Sequence, residues 1–96
     1  MIYCGVQYDW DAEKAARNFS KHGISFEEAA TVFEDALFVI FADPRHSVEE
    51  KRFIIIGETK RQKLLMVAYT ERGDRIRIIS ARKATPRERK SYGEQL

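Results

Sequence analysis

Glu71-Arg72-Gly73-Asp74-Arg75-Ile76-Arg77-Ile78-Ile79-Ser80-Ala81-Arg82-Lys83-Ala84 sets an isoleucine-rich strand inside a cluster of five cations. Arg72-Gly73-Asp74 reads as a tight hairpin, and Arg75 to Arg82 as the strand that leaves it. Along that strand the isoleucines alternate with Arg75 and Arg77, which makes one face core and the other a row of guanidinium groups. Arginine stays charged and offers planar, paired donors, so such a row on a rigid strand suits phosphate. A solvated outer face of an antiparallel sheet explains the same alternation, and both readings remain open at this level. Arg77 and Arg82 have opposite parity in a regular strand. One site can hold both only if a bulge intervenes or Arg82 lies past the strand end.

Upstream, Leu64 to Thr70 and Arg52 to Ile56 read as strands joined through residues 57–63, and Leu37 to Phe41 as another, closed by the turn residues Asp43 and Pro44. Val6, Tyr8 and Trp10 alternate with Gln7 and Asp9 in a short first strand, with Trp10 as a core anchor. Asp11 is placed as the N-cap of a helix whose apolar residues are Ala12, Ala15, Ala16 and Phe19, with Gly23 as its left-handed stop. Ser25 and Glu28 have the spacing of a capping box, and Ile24 with Ala29 that of a hydrophobic staple, for a second helix ending near Glu34 or Asp35. Downstream, Thr85, Pro86 and Glu88 spell the start of a short basic helix carrying Arg87, Arg89 and Lys90. The order is β-α-α-β-β-β-β-α. It predicts an α+β fold: a small antiparallel-rich sheet with two N-terminal helices on one face and a short C-terminal helix.

The 96 residues, 44% hydrophobic and 33% charged, suit one domain over residues 1–96 and argue against disorder. The longest apolar run, Ala36 to Ala42, is too short to span a bilayer, and the first residues lack a signal-peptide pattern, so a cytoplasmic location and no membrane contact are expected. Cys4 is the only cysteine and reads as a small residue near the first strand. Net charge is +2, but residues 1–50 hold 4 Lys/Arg against 10 Asp/Glu and residues 51–96 hold 13 against 5. The basic half is an electrostatic footprint for a polyanion or an acidic partner. Complementation of the two halves across the fold is the plainer alternative.

Trp10-Asp11 with Lys14 and Asn18, then Lys21-His22-Gly23-Ile24-Ser25-Phe26-Glu27-Glu28-Ala29, resemble the opening of the BrnT toxins of bacterial type II toxin–antitoxin systems. The resemblance continues in Asp43-Pro44-Arg45-His46-Ser47, Glu71-Arg72-Gly73-Asp74, and Arg77-Ile78-Ile79-Ser80-Ala81-Arg82 followed by Glu88-Arg89 and Tyr92. It implies a RelE-like fold, with the Arg75–Arg82 strand at the sheet centre, and an endoribonuclease that inhibits translation. It further implies neutralisation by a BrnA-like ribbon-helix-helix antitoxin in a 2:2 heterotetramer, which contacts operator DNA only through the antitoxin. No RelE-type catalytic lysine pair maps onto this chain, so individual roles have to be sought in the chemistry.

Metal-free RNA cleavage needs a base for the 2′-hydroxyl proton, cations for the phosphorane charge and an acid for the leaving 5′-oxygen. His46 and His22 are the only histidines, and as a residue type histidine suits acid or base chemistry near neutral pH. His46, on a loop, is the preferred base or acid. His22 ends the first helix, where a purely structural cation is equally at home. Arg77 and Arg82 are the leading phosphate binders, with Arg52, Arg72, Arg75 and Lys21 as further substrate contacts or, equally, surface ion-pair partners. Tyr92 offers a stacking or donor group, or a packing residue of the last helix. Glu71 and Glu50 are weaker base candidates. No ligand spacing for a metal is present, and no cofactor is expected. A non-catalytic nucleic-acid- or protein-binding module using the same basic face is the competing class.

Overall fold

The computed structural model describes residues 6–43 and 51–94. In chain order these form β1 (Gln7–Asp9), α1 (Ala12–His22), α2 (Phe26–Ala30), a 3-10 helix (Thr31–Glu34), β2 (Val39–Ala42), β3 (Arg52–Glu58), β4 (Leu64–Arg72), β5 (Arg75–Lys83) and α3 (Pro86–Gly93). The strands make one sheet in the order β1-β5-β4-β3-β2. All neighbours are antiparallel except β1, which runs parallel to β5. The middle strand is therefore β4, not the Arg75–Lys83 strand, which lies one place towards the β1 edge. β3 and β4 run two residues beyond the apolar stretches that announce them, because ladder hydrogen bonding continues past the last buried side chain.

α1 starts as its sequence predicts, with Asp11 Oδ1 accepting from the backbone N–H groups of Glu13 (2.8 Å) and Lys14 (3.1 Å). It stops at Gly23, whose φ of 71° is left-handed. Its inward stripe differs from the one its apolar residues mark out. Phe19 is 57% exposed, whereas Asn18 is buried and Ala15 and His22 are half-buried. Asn18 explains this: its Nδ2 donates to Ala81 O (2.9 Å) and Ile24 O (3.1 Å), and its Oδ1 accepts from Ala81 N (3.1 Å). β1 covers β5 only as far as Arg77, so the rest of that strand edge presents unpaired backbone groups. A carboxamide offers the same donor and acceptor as a peptide, and it turns the helix so that Asn18 faces in.

The second helix is shorter than its pattern predicts, ending at Ala30 and continuing as the 3-10 helix. Only half of its capping box forms. Ser25 Oγ accepts from Glu28 N (3.0 Å), while the Glu28 carboxylate accepts from Thr59 Oγ1 (3.2 Å) and lies 3.9 Å from Lys63 Nζ. The 3-10 helix presses onto β3 at Gly57, where a Cβ would meet Val32 O at 3.1 Å and Val32 Cβ at 3.2 Å. A side chain there would push the two elements apart.

One face of the sheet packs Ile55, Leu65, Val67, Tyr69, Ile76, Ile78 and Ala81 against Ile24, Phe26, Ala29, Val32 and Phe33. Edge-to-face rings tighten this core: Phe33 lies 4.9 Å from Tyr69, and Trp10 lies 5.9 Å from Phe26 in its core-anchor place. On the opposite face α3 covers only one end, where Tyr92 and Ala84 pack on Ile56, Leu64 and Met66.

Candidate nucleic-acid interface

Directly paired residues of neighbouring strands project to the same side of a sheet. The register aligns Arg52 with Thr70, Thr70 with Arg77, and Arg77 with Asp9, one row across four strands. The next row towards the hairpin is Arg72, Arg75 and Gln7. The core residues Tyr69, Ile76 and Ile78 occupy the alternate positions, so Arg52, Arg72, Arg75 and Arg77 all stand on the face away from α2. Phe41, 43% exposed, is on that face too, opposite Ile54.

β5 is not regular. Ala68 of β4 pairs with Ser80 and Tyr69 with Ile78, which leaves Ile79 as an extra residue in a bulge. The bulge shifts the alternation, so Ile76, Ile78 and Ala81 are buried while Arg77 and Arg82 share the other face. The parity conflict is thereby removed. The same register nevertheless separates the two arginines, because Arg77 pairs with Thr70 and Arg82 with Met66, about 13 Å apart along the strand. They share a face but not one pocket.

Their partners differ as well. Arg82 makes a two-pronged bond to Glu88, Nη1 to Oε1 at 2.8 Å and Nη2 to Oε2 at 2.9 Å, and also donates to Lys83 O. Glu88 Oε1 accepts from Thr85 N as well, so one carboxylate closes the α3 capping box and ties the helix to the strand. Burial opposes the Glu88 charge, but the Arg82 fork and the Thr85 amide outweigh it and hold its pKa below the usual carboxylate value. Tyr92 anchors the far end of α3, its hydroxyl donating to Asp35 Oδ2 at 2.7 Å. Burial and that bond raise the phenol's pKa. Asp35 also accepts from the amides of Glu58 (2.8 Å) and Leu37 (2.9 Å). Burial works against its ionisation, and these amides and Tyr92 more than offset it, lowering its pKa. Arg82 and Tyr92 thus hold α3 in place, at a distance from the Arg52–Arg77 row.

Arg77 Nη1 lies 3.2 Å from Asp9 Oδ1, and Arg75 Nη1 lies 3.9 Å from Asp9 Oδ2. These pairs are about one-third or more exposed, so water screens them and little energy holds either guanidinium in place. Between Arg52 and Arg77 sits Thr70, 1% exposed. Its Oγ1 is, among the described residues, the buried side-chain polar atom that has no hydrogen-bond partner. A buried hydroxyl left unpaired costs about 1–3 kcal/mol.

His22 and Lys21 fall outside this group. α1 begins just after Asp9, which pairs with Arg77, and has already advanced to Ala81 at Asn18. Lys21 and His22 lie about one turn farther on. Among the described residues no hydrogen bond or ion pair links either to an arginine. His46 and Glu50 lie outside the described residues, as does Cys4. Among the described residues no cluster of His, Cys, Asp or Glu is arranged to hold a metal, and no helix is long and apolar enough to cross a membrane.

Asp9 and Thr70 were not singled out by sequence. Asp9's place opposite the core was readable from the alternation of β1, but its pairing with β5 was not. Thr70 carried a weaker signal, a lone hydroxyl closing an apolar run.

The family model described as ribonuclease toxin, BrnT, of type II toxin–antitoxin systems matches residues 10–88. Among solved structures, that of the Brucella abortus ribonuclease toxin BrnT is similar, with a TM-score of 0.66 and 23% sequence identity over 83% of this chain and 97% of that one. The curated proteins gave no match.

Proposed function

The chain belongs to the BrnT family of ribonuclease toxins of type II toxin–antitoxin systems, and from that premise we propose that its arginine face binds and cleaves RNA without a metal ion. The observation that carries this is the placement of Arg52, Arg72, Arg75 and Arg77 in two adjacent rows on one sheet face, the face away from α2. Arg77, held by a half-buried carboxylate, exchanges Asp9 for a phosphate oxygen and stabilises the charge that builds on phosphorus. Arg52 grips the same phosphate from the other side of Thr70, while Arg72 and Arg75 hold a neighbouring one. The 2′-hydroxyl loses its proton to a base, for which His46 is the preferred group and His22 the second. O2′ attacks phosphorus, the P–O5′ bond breaks, and O5′ takes up a proton, leaving a 2′,3′-cyclic phosphate. Arg82 and Tyr92 serve this site by fixing α3 and β5.

In this reading the fold is RelE-like, the whole chain acts as a single domain in the cytoplasm, and RNA cleavage stops translation. An acidic segment of a BrnA-like ribbon-helix-helix antitoxin occupies the arginine face in a 2:2 assembly, and operator DNA is met only through that antitoxin. The charge of the face supports an acidic occupant. The test is incubation of purified protein with RNA in EDTA. Cleavage to cyclic-phosphate ends is expected, with at least a hundredfold loss in Arg77→Ala, in line with removal of one transition-state donor. Full activity in that variant would remove Arg77 from the mechanism. Salt-sensitive binding without cleavage by the wild type would favour the non-catalytic module instead.

A further inference from the structure

Most polar side chains on the arginine face have partners, and Thr70 does not. Its hydroxyl is fully buried, lacks any hydrogen bond, and stands midway between Arg52 and Arg77 in one cross-strand row. Strands in a sheet lie about 4.8 Å apart, so the backbones carrying the two arginines are about 10 Å apart with Thr70 at the centre. Arg77 is turned towards Asp9 of β1, and once released it has the length, as Arg52 has, to reach the position between them. Valine would fill the strand equally well, with the same branching and no polar atom to satisfy. An acceptor brought to this position would satisfy the hydroxyl that valine lacks. The flanking Arg77–Asp9 pair is partly exposed and opens at little cost.

Resting on the ribonuclease reading above, we propose that Thr70 is a substrate-binding residue whose hydroxyl donates to a non-bridging oxygen of the RNA phosphodiester seated between Arg52 and Arg77. The hydroxyl forms the floor of the phosphate seat and the two guanidinium groups its walls. Once the phosphate displaces Asp9 from Arg77, the oxygen directed at the sheet reaches Oγ1 and satisfies it. No bond is made or broken in this step.

Thr70→Val removes the hydroxyl and keeps the shape. Binding is measured with a 2′-O-methyl oligoribonucleotide, which cannot be cleaved by 2′-hydroxyl attack, alongside cleavage of the unmodified RNA and thermal melting. The expected result is about tenfold weaker binding, the worth of one hydrogen bond to a charged group, with a comparable fall in cleavage and a melting temperature raised by about 4 °C or more. Thr70→Ser should bind like the wild type. Thr70→Ala, which relieves any demand on packing, should repeat the loss. Wild-type affinity in Thr70→Val and Thr70→Ala would overturn the phosphate seat and leave the ribonuclease reading intact if the wild type cleaves RNA. Binding that depends on Thr70 in a protein that does not cleave would uphold the seat and end the ribonuclease reading. Failure of the wild type to bind the oligonucleotide would overturn the seat, and failure to cleave RNA as well would overturn both.

Discussion

Asn18 does for the free edge of β5 what a neighbouring strand would do: it supplies one donor and one acceptor to the backbone of Ala81. A third bond, to Ile24 O, closes the turn between α1 and α2. Replacement by alanine leaves a buried N–H and two carbonyls short of partners, for which about 2–3 kcal/mol is the expected cost. The measurement is the urea midpoint of Asn18→Ala, and a midpoint equal to the wild type's would show that water satisfies the edge unaided. The family resemblance includes Asn18, but its role was not legible, because nothing in the sequence places residue 18 beside residue 81. Arg82 makes the complementary case. Its cation was easy to find, yet its engagement with Glu88 depends on a helix start that happens to fold back over the strand.

At the scale of the element, the bulge at Ile79 reconciles two demands on β5. Ile76 and Ile78 must face the core before it, and Ala81 after it. Deleting Ile79 would make the strand regular and turn one of these sets outward, since a one-residue slip reverses every side chain beyond it. The deletion is therefore expected to lower the melting temperature by more than about 10 °C or to prevent folding, well beyond the effect of an ordinary single substitution. Ile79→Ala, which keeps the residue count, should do far less damage. A deletion variant that melts like the wild type and retains activity would show that the bulge is incidental. The alternation of arginine with isoleucine was readable, and so was the parity conflict it creates. The bulge itself was not, because bulges form where a partner strand and its packing require them.

Across the whole molecule, the acidic first half and the basic second half meet in ion pairs: Glu28 with Lys63, Glu34 with Lys60, and Asp9 with Arg75 and Arg77. Part of the charge division is thus complementarity within the fold, and Asp9 carries it onto the arginine face itself. Carboxylates also fasten element to element. Asp11, Asp35 and Glu88 all have pKa values depressed in the folded protein, so their stabilisation is present above the unfolded value near about 4 and is lost as pH falls through the folded values. Melting temperature should be level from pH 7 to about pH 5 and drop below about pH 4, with a shallower drop in Asp35→Asn. A melting temperature unchanged at pH 3 would contradict this linkage. By itself the sequence determined the elements, the helix starts at Asp11 and Thr85, the stop at Gly23 and the cationic strand, because caps, turns and alternation act over a few neighbouring residues. It did not determine which way α1 faces, that β1 joins β5 in parallel, that Arg77 and Arg82 share a face but not a pocket, or that Thr70 lies unpartnered between two arginines. Those were decided by strand register and by hydrogen bonds between residues up to 68 positions apart, which exist only once the sheet has assembled.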